Sequence, residues 1–272
     1  MAQSCSASLP ASSHRIFLST GFAPVGKQEL RALRRLGIKT LNFLTDDPWS
    51  KVMRGSWSIE NLVEYDFVFT PRHANFEDLR SAGVRSVHYL PFGFDPRHFF
   101  PSEVDPELQT DVIFVGGGDS DRIPWIRALL AGRFNVALYG RYWERFPESR
   151  AYALGMASPQ RIRAATASAK VALCLVRRAN RDGHVMRSLE IPRTQTCMLT
   201  EDTHEHRELF GPEGECVRYF STPAEMVDKA RQLLADASDR HRLATAAFRR
   251  ISEEKHSYAA RLTSMLDIAS DR

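Results

Sequence analysis

Short apolar runs alternate with amphipathic segments along nearly the whole chain, and no other feature of the sequence restricts the fold as much. From Arg15 the order is RIFLSTG, a helical segment from about Val25 to Leu36, TLNFL, YDFVFTP, a second short helix near Phe76, and SVHYLPF. Runs long enough for one buried strand, each followed by a helical stripe, predict parallel strands joined by crossover helices. In the first helix Leu30, Leu33 and Leu36 recur at helical spacing, while Arg31, Arg34 and Arg35 fall largely on other faces. That stripe reads as core and not as a cofactor site.

The text changes between Pro91 and Pro106, where PFGFDPRHFFPSEVDP places Pro91, Pro96, Pro101 and Pro106 at close intervals. Such a composition breaks regular elements and suits a crossing between domains. The alternation then restarts with DVIFVGGG, a helix from Arg122 to about Leu130, NVALYG, KVALCLV, a short helix ending near Glu190, TCMLTE and CVRYF. Three closing helices follow, near Pro223 to Leu234, Asp239 to Ile251, and Ser257 to Ile268. The expectation is a loose tail at 1–14, a partial Rossmann-like domain with linker at 15–100, and a doubly wound α/β domain at 101–272. The first domain reads as incomplete, because it offers four strands and no glycine-rich turn after the first of them.

Composition narrows the function classes. A chain of 272 residues with 43% hydrophobic and 26% charged content is ordinary globular material for about two domains. Its net charge of +4 suits a small anionic ligand and lacks the dense Lys/Arg stripe of a nucleic-acid binder, so no nucleic-acid partner is expected. Cys5, Cys174, Cys197 and Cys216 form no C-x-x-C pair, and three of them lie in apolar runs, which predicts buried free thiols in a reducing cytoplasm. The N-terminal residues show no basic region followed by an apolar core, and no run approaches the roughly 18 apolar residues of a membrane span. A cytoplasmic protein is expected, with peripheral membrane contact and self-association left open.

The stretch from Lys170 to Asp202, KVALCLVRRANRDGHVMRSLEIPRTQTCMLTED, carries the chemistry. A buried strand ends at Val176, a polar loop with Asn180, Asp182 and Gly183 follows, and a short helix opens near His184. In an open α/β sheet a ligand sits beyond the carboxyl ends of the strands, so this loop occupies the binding edge. The helix start presents unpaired amides, Gly183 lets the backbone approach a phosphate, and Arg187 adds a forked donor beside it. Glu190 stands eight residues after Asp182, giving D-x7-E. One reading makes Glu190 an acceptor for two vicinal ribose hydroxyls. The other has Glu190 pair with Arg187 at i, i+3 spacing and Asp182 cap the helix.

The D-x7-E spacing resembles the E-x7-E donor motif of retaining GT-B glycosyltransferases. The ordered set of TDDPW, YDFVFTP, the crossing from Pro91 to Pro101, DVIFVGG, LYGRYW, RSLEIP, LTED, HRELF, YFSTPAEM and HSYAARLTSML resembles more specifically the spore-maturation (CgeB-like) glycosyltransferases. The resemblance implies a GT-B-like α/β fold of two Rossmann-type parallel-sheet domains and a metal-independent transferase. Its donor would be a nucleoside-diphosphate sugar, with no separate cofactor. It assigns the ribose to Glu190, the donor sugar hydroxyls to Asp182 and the diphosphate to the amides of Gly183 and His184, and leaves the acceptor unknown. The chain departs from the family in having Asp182 for Glu, and Arg193, Thr194, Gln195 and Thr196 where small residues and Gly are common. A left-handed conformation at Gln195 would cost about 1 kcal/mol, which is tolerable.

The turn FVGGGDSDR adds Gly117 and Arg122 to the expected substrate-binding set and lacks the spacing of a dinucleotide fingerprint. Asp119 and Asp121 read as helix caps in preference to a metal clamp, and His204 and His206 as a solvated surface pair. Asp47, after a buried strand, is either a second catalytic carboxylate or the former of a turn before Pro48. Trp143 reads as packing. Two functions remain, a glycosyltransferase and a non-catalytic nucleotide-sugar-binding or assembly module that has lost part of its acceptor domain.

Overall fold

The computed structural model describes residues 15–50, 59–253 and 255–270, so the expected tail at 1–14 and Cys5 lie outside the described residues. The chain divides into two compact units, residues 1–90 with 263–272, and residues 91–262. The proline-rich crossing that the sequence suggested as a linker up to residue 100 thus belongs with the second unit, and the end of the last helix with the first.

The first unit contains four strands, β1 (Ile16–Thr20), β2 (Lys39–Phe43), β3 (Phe67–Thr70) and β4 (Val87–Tyr89), parallel and in sequential order. Helices α1 (Lys27–Arg35), α2 (Ile59–Leu62) and α3 (Phe76–Ser81) lie between them in the chain. Its core gathers Leu30, Leu44, Leu62, Tyr65, Val68, Leu79 and Val84. Leu30 is the buried face of α1, whereas Leu36 forms the C-cap and stays exposed, so the leucine stripe is shorter than its periodicity suggested. Arg31 on another face donates from Nε to Glu64 Oε1 at 3.0 Å.

The second unit holds β5 (Thr110–Val115), α4 (Ile123–Ala131), β6 (Val136–Tyr139), β7 (Ala153–Gly155), α5 (Pro159–Ser168), β8 (Ala169–Cys174), α6 (Met186–Arg193), β9 (Met198–Glu201), α7 (His204–Phe210), β10 (Arg218–Phe220), α8 (Pro223–Ala235) and α9 (Ala237–Glu253). The final helix, α10 (Tyr258–Ser270), begins in this unit and ends in the first. The sheet order is β10-β9-β8-β5-β6-β7, all parallel, which is the doubly wound arrangement the alternation predicted. Strand order reverses between β5 and β8, and chains of this kind leave a crevice outside the carboxyl ends of the strands at that point. Apolar residues of β5, β6, β8 and β9 meet Trp125, Ile126 and Leu129 of α4 and Met226, Ala230 and Leu233 of α8 in one core.

Two elements between β6 and β8 were not foreseen, β7 and α5. The buried face of α5 is Ile162, Ala165, Thr166 and Ser168, small residues with weak hydrophobic contrast. Its start was legible, because Ser158 accepts from the Arg161 amide at 3.2 Å and Pro159 follows it. Cys174, Cys197 and Cys216 are buried and free, as expected. Among the described residues no helix is long and apolar enough to cross a membrane.

Gln195, just past the C-cap of α6, has φ of 58°, so it does take the left-handed conformation. Its amide still closes the helix by donating to Pro192 O at 2.9 Å. Replacing it with glycine keeps that bond and removes the steric cost of the side chain. Gln195→Gly should raise stability by about 1 kcal/mol, read as an increase of roughly 2–4 °C in Tm. An unchanged or lower Tm would show that the left-handed residue is not strained.

Candidate functional site

The loop after β5 forms one wall of the crevice. Gly116 N donates to Tyr139 O and Gly118 N to Arg141 O, both at 2.8 Å, so the glycine turn lies flat against the end of β6. The contact is backbone on backbone: a Cβ on Gly140, whose φ is 137°, would sit 2.1 Å from Gly116 O. Trp143 is fully buried and its indole N–H donates to Gly116 O at 2.8 Å, so it packs and braces the turn. Asp119 Oδ1 accepts from the amides of Asp121 at 3.0 Å and Arg122 at 2.9 Å, which makes it the former of the turn leading into α4, whose N-cap is Arg122 without a side-chain bond, and not the cap expected.

Arg122 turns back over this loop, donating from Nη1 to Gly117 O at 3.0 Å, with its guanidinium 5.5 Å from the Phe114 ring centre. Burial pulls its pKa below the ordinary arginine range, and Asp119 and Asp182 act in the opposite sense while Arg177 adds to it. Arg177 and Asp182 thus lie within electrostatic range of Arg122. Gly116, Gly117, Gly140, Arg141, Met156 and Arg187 are among the residues around a cavity of about 350 Å³.

The loop from β8 to α6 leaves the strand beside β5. Asn180, Asp182, Gly183 and His184 are all buried in it. Asn180 N and Asp182 N both donate to Arg177 O, and Arg181 between them has φ of 49°. The hydroxyl of Thr203 donates to Gly183 O. The Phe92 amide donates to His184 Nε2 at 3.1 Å, so the neutral ring carries its proton on Nδ1. The His184 side chain therefore belongs to the scaffold.

In α6, Arg187 and Glu190 form an ion pair at i, i+3 spacing. The pairing alternative left open by the sequence is thus realised, with Glu190 buried and Arg187 half-buried beside the cavity. Asp47 is elsewhere, in the first unit, fully buried, with Oδ1 accepting from Trp49 N at 3.0 Å and Asn75 Nδ2 at 2.9 Å. It forms the turn before Pro48 and Trp49.

The expectation of a solvated histidine pair needs correction. His204 is exposed and faces Glu208 at 3.2 Å, but His206 is fully buried. On α7 the buried residues are Glu205, His206, Leu209 and Phe210, a stripe at helical spacing that could have been read from the sequence. His206 Nδ1 lies 2.8 Å from Glu201 O, Nε2 lies 2.8 Å from Ser188 Oγ, and Ser188 Oγ accepts from Val185 N at 3.1 Å. A carbonyl only accepts, so Nδ1 bears the proton and Nε2 takes the Ser188 hydroxyl hydrogen. The chain of bonds fastens the first turn of α6 to the end of β9. Beside it, Glu201 accepts from Val176 N and from Arg178, each at 2.7 Å.

Residues 122–267 match a protein family described as glycosyl transferase-like. A search of curated proteins finds no match to the sequence. Among solved structures the chain is similar to Anabaena HepE in complex with UDP-glucose, with a TM-score of 0.68 and 14% identity over 94% of this chain and 79% of that one. It is similar also to a sucrose-phosphate synthase from Thermosynechococcus elongatus, with a TM-score of 0.65 and 13% identity over 94% of this chain and 73% of that one. A UDP-forming trehalose-phosphate synthase from Burkholderia xenovorans gives a TM-score of 0.62 and 12% identity over 93% and 73%.

The histidine network has a pH signature. Burial pushes His206 down from 6.5 to about 4, the Glu201 carbonyl opposing this only in part. Between about pH 6.5 and 4 the unfolded chain binds the extra proton, so stability falls as pH is lowered through that window. The loss attributable to this ring is on the order of 3 kcal/mol. In denaturant titrations His206→Gln should lose less stability than the wild type over that range, by about that amount. Parallel pH profiles for the two proteins would contradict the assignment.

Proposed function

The chain belongs to the glycosyl transferase-like family and has the GT-B fold, and on that premise we propose that it moves a sugar from a nucleoside-diphosphate donor to an acceptor, with retention and without a metal ion. The observation that carries the reading is the make-up of the crevice at the strand-order reversal. A side-chain-free glycine turn and two arginines face a loop of buried polar groups that includes one carboxylate.

In this reading the diphosphate lies on the amides of Gly183 and His184. Gly117 gives it close access to the β5 turn, and Arg122 and Arg187 neutralise it. Asn180 supports the loop from its buried position. Glu190 meets Arg187 through Oε2, and its other oxygen is the proposed acceptor for ribose hydroxyls. Asp182 accepts hydroxyls of the sugar and stands nearest the carbon that reacts. Fixed amides and guanidinium groups stabilise charge on the departing diphosphate without having to reorganise, which is where the rate acceleration arises. HepE has been solved with UDP and with UDP-glucose, which favours a uridine donor here. The ordered segments from TDDPW to the closing helix support the CgeB-like branch of the family. Asp47, committed to its turn, is left out of the machinery.

The test uses purified protein with a panel of UDP-, GDP- and ADP-sugars, following release of the nucleoside diphosphate. Asp182→Asn should lower turnover at least about 100-fold, equal to roughly 2.7 kcal/mol of transition-state stabilisation. Glu190→Gln should weaken binding of the nucleoside diphosphate about tenfold. Tight donor binding by the wild type with no turnover on any sugar would favour a non-catalytic nucleotide-sugar-binding module. Unchanged turnover in Asp182→Asn would remove that residue from the mechanism.

A further inference from the structure

A cavity of about 300 Å³ opens in the second unit beside the amino ends of β8 and β9. The crevice lies outside the carboxyl ends of the same strands, so the length of β8, six residues or about 20 Å, separates the two. Buried Cys197 and Ala244 line the cavity together with the more accessible Lys170, Gln195, Arg240 and His241. Among the described residues no carboxylate lines it. The flanking acids are committed elsewhere, Asp111 to Lys170 Nζ at 2.9 Å, and Asp239 to Arg218 Nη2 at 2.9 Å and to Arg242. Arg240 places Nη1 on the carbonyls of Leu233 and Leu234 and has no ion pair among the described residues. The ring of His241 has neither a hydrogen bond nor an ion pair among them.

Basic side chains that converge on a concave surface with no acid among them favour an oxyanion, and the unspent guanidinium nitrogens of Arg240 match its geometry. Inorganic phosphate alone leaves much of the space empty, since about 300 Å³ is already the size of a small-molecule pocket. The thiol of Cys197 and the methyl group of Ala244 offer a surface for carbon. Gln195 adds a neutral amide, carried on a left-handed backbone that glycine adopts more easily. We propose that this cavity binds a small organic phosphate. Its phosphoryl oxygens meet Arg240, His241 and Lys170, and its carbon body lies against Cys197 and Ala244. The site is separate from the donor crevice and does not depend on the donor reading.

Calorimetric titration of the full chain with inorganic phosphate, glycerol 3-phosphate and glucose 6-phosphate at constant ionic strength tests this directly. At least one ester should bind saturably with Kd below about 1 mM, and more tightly than inorganic phosphate. His241→Glu, which sets a carboxylate at an exposed position, should weaken that ester at least about tenfold with the ligand-free Tm unchanged. Arg240→Gln should weaken it to a similar extent, and the histidine variant guards against loss of the contacts that Arg240 makes with α8. Gln195→Gly should bind the ester about threefold more weakly although the protein itself is more stable, a divergence that a purely structural role for the side chain does not produce. No saturable binding of either ester overturns the proposal. Full affinity in His241→Glu does so too, because the anion then sits elsewhere, and so does inorganic phosphate binding as tightly as both esters, because the carbon body then has no place in the cavity.

Discussion

The site depends on a polar loop kept buried, and the residues that keep it so come from the segment just after the next strand. A loop withdrawn from water must find partners for its backbone groups. Here Glu201 takes the amide of Val176, Thr203 holds the carbonyl of Gly183, and His206 holds Ser188 at the head of α6. Phe92 adds a bond to His184 from the crossing segment. Residues 201–206 thus set the shape of residues 176–188, and the loop can present Asp182 and the amides after it in one arrangement.

Across the crevice the constraint is steric. The β5 turn approaches the end of β6 so closely that Gly140 has no room for a side chain, and Trp143 locks the same carbonyl from behind. The charges around the crevice are unevenly matched. Arg122 is held where burial works against its charge, and Arg187 is half-buried in an ion pair with Glu190. In the proposed donor reading these guanidinium groups meet an anion, whose arrival offsets the desolvation already incurred. In the proposed donor reading the carboxylate of Asp182 imposes the complementary demand for neutral hydrogen donors.

Much of this was legible in the sequence. The alternation gave both parallel sheets, the triple glycine marked the turn after β5, and the pieces after KVALCLV located the loop at the strand-order reversal. At Gln195, where glycine is missing, the sequence left the left-handed turn open and the structure shows it. What was not legible failed for identifiable reasons. The helix α5 buries small residues and shows little amphipathic contrast, although Ser158 and Pro159 announced its start. His204 and His206 do face different ways, but the stripe His206, Leu209, Phe210 was needed to see that one way is inward. Asp47 and Glu190 each had two physical readings of similar weight, and only coordinates show the turn bonds of the first and the arginine pairing of the second. The carboxylate of Glu205 beside Gly183 joins residues 22 positions apart in the chain, beyond the reach of local spacing.

The central claim, that the crevice outside β5 and β8 holds a nucleoside diphosphate on backbone amides, is most directly tested by hydrogen–deuterium exchange with and without UDP or GDP. The account predicts slowed exchange confined to residues 116–118 and 183–188, the segments that follow β5 and β8. Protection that falls elsewhere, with both segments exchanging as fast as in the free protein, would contradict it.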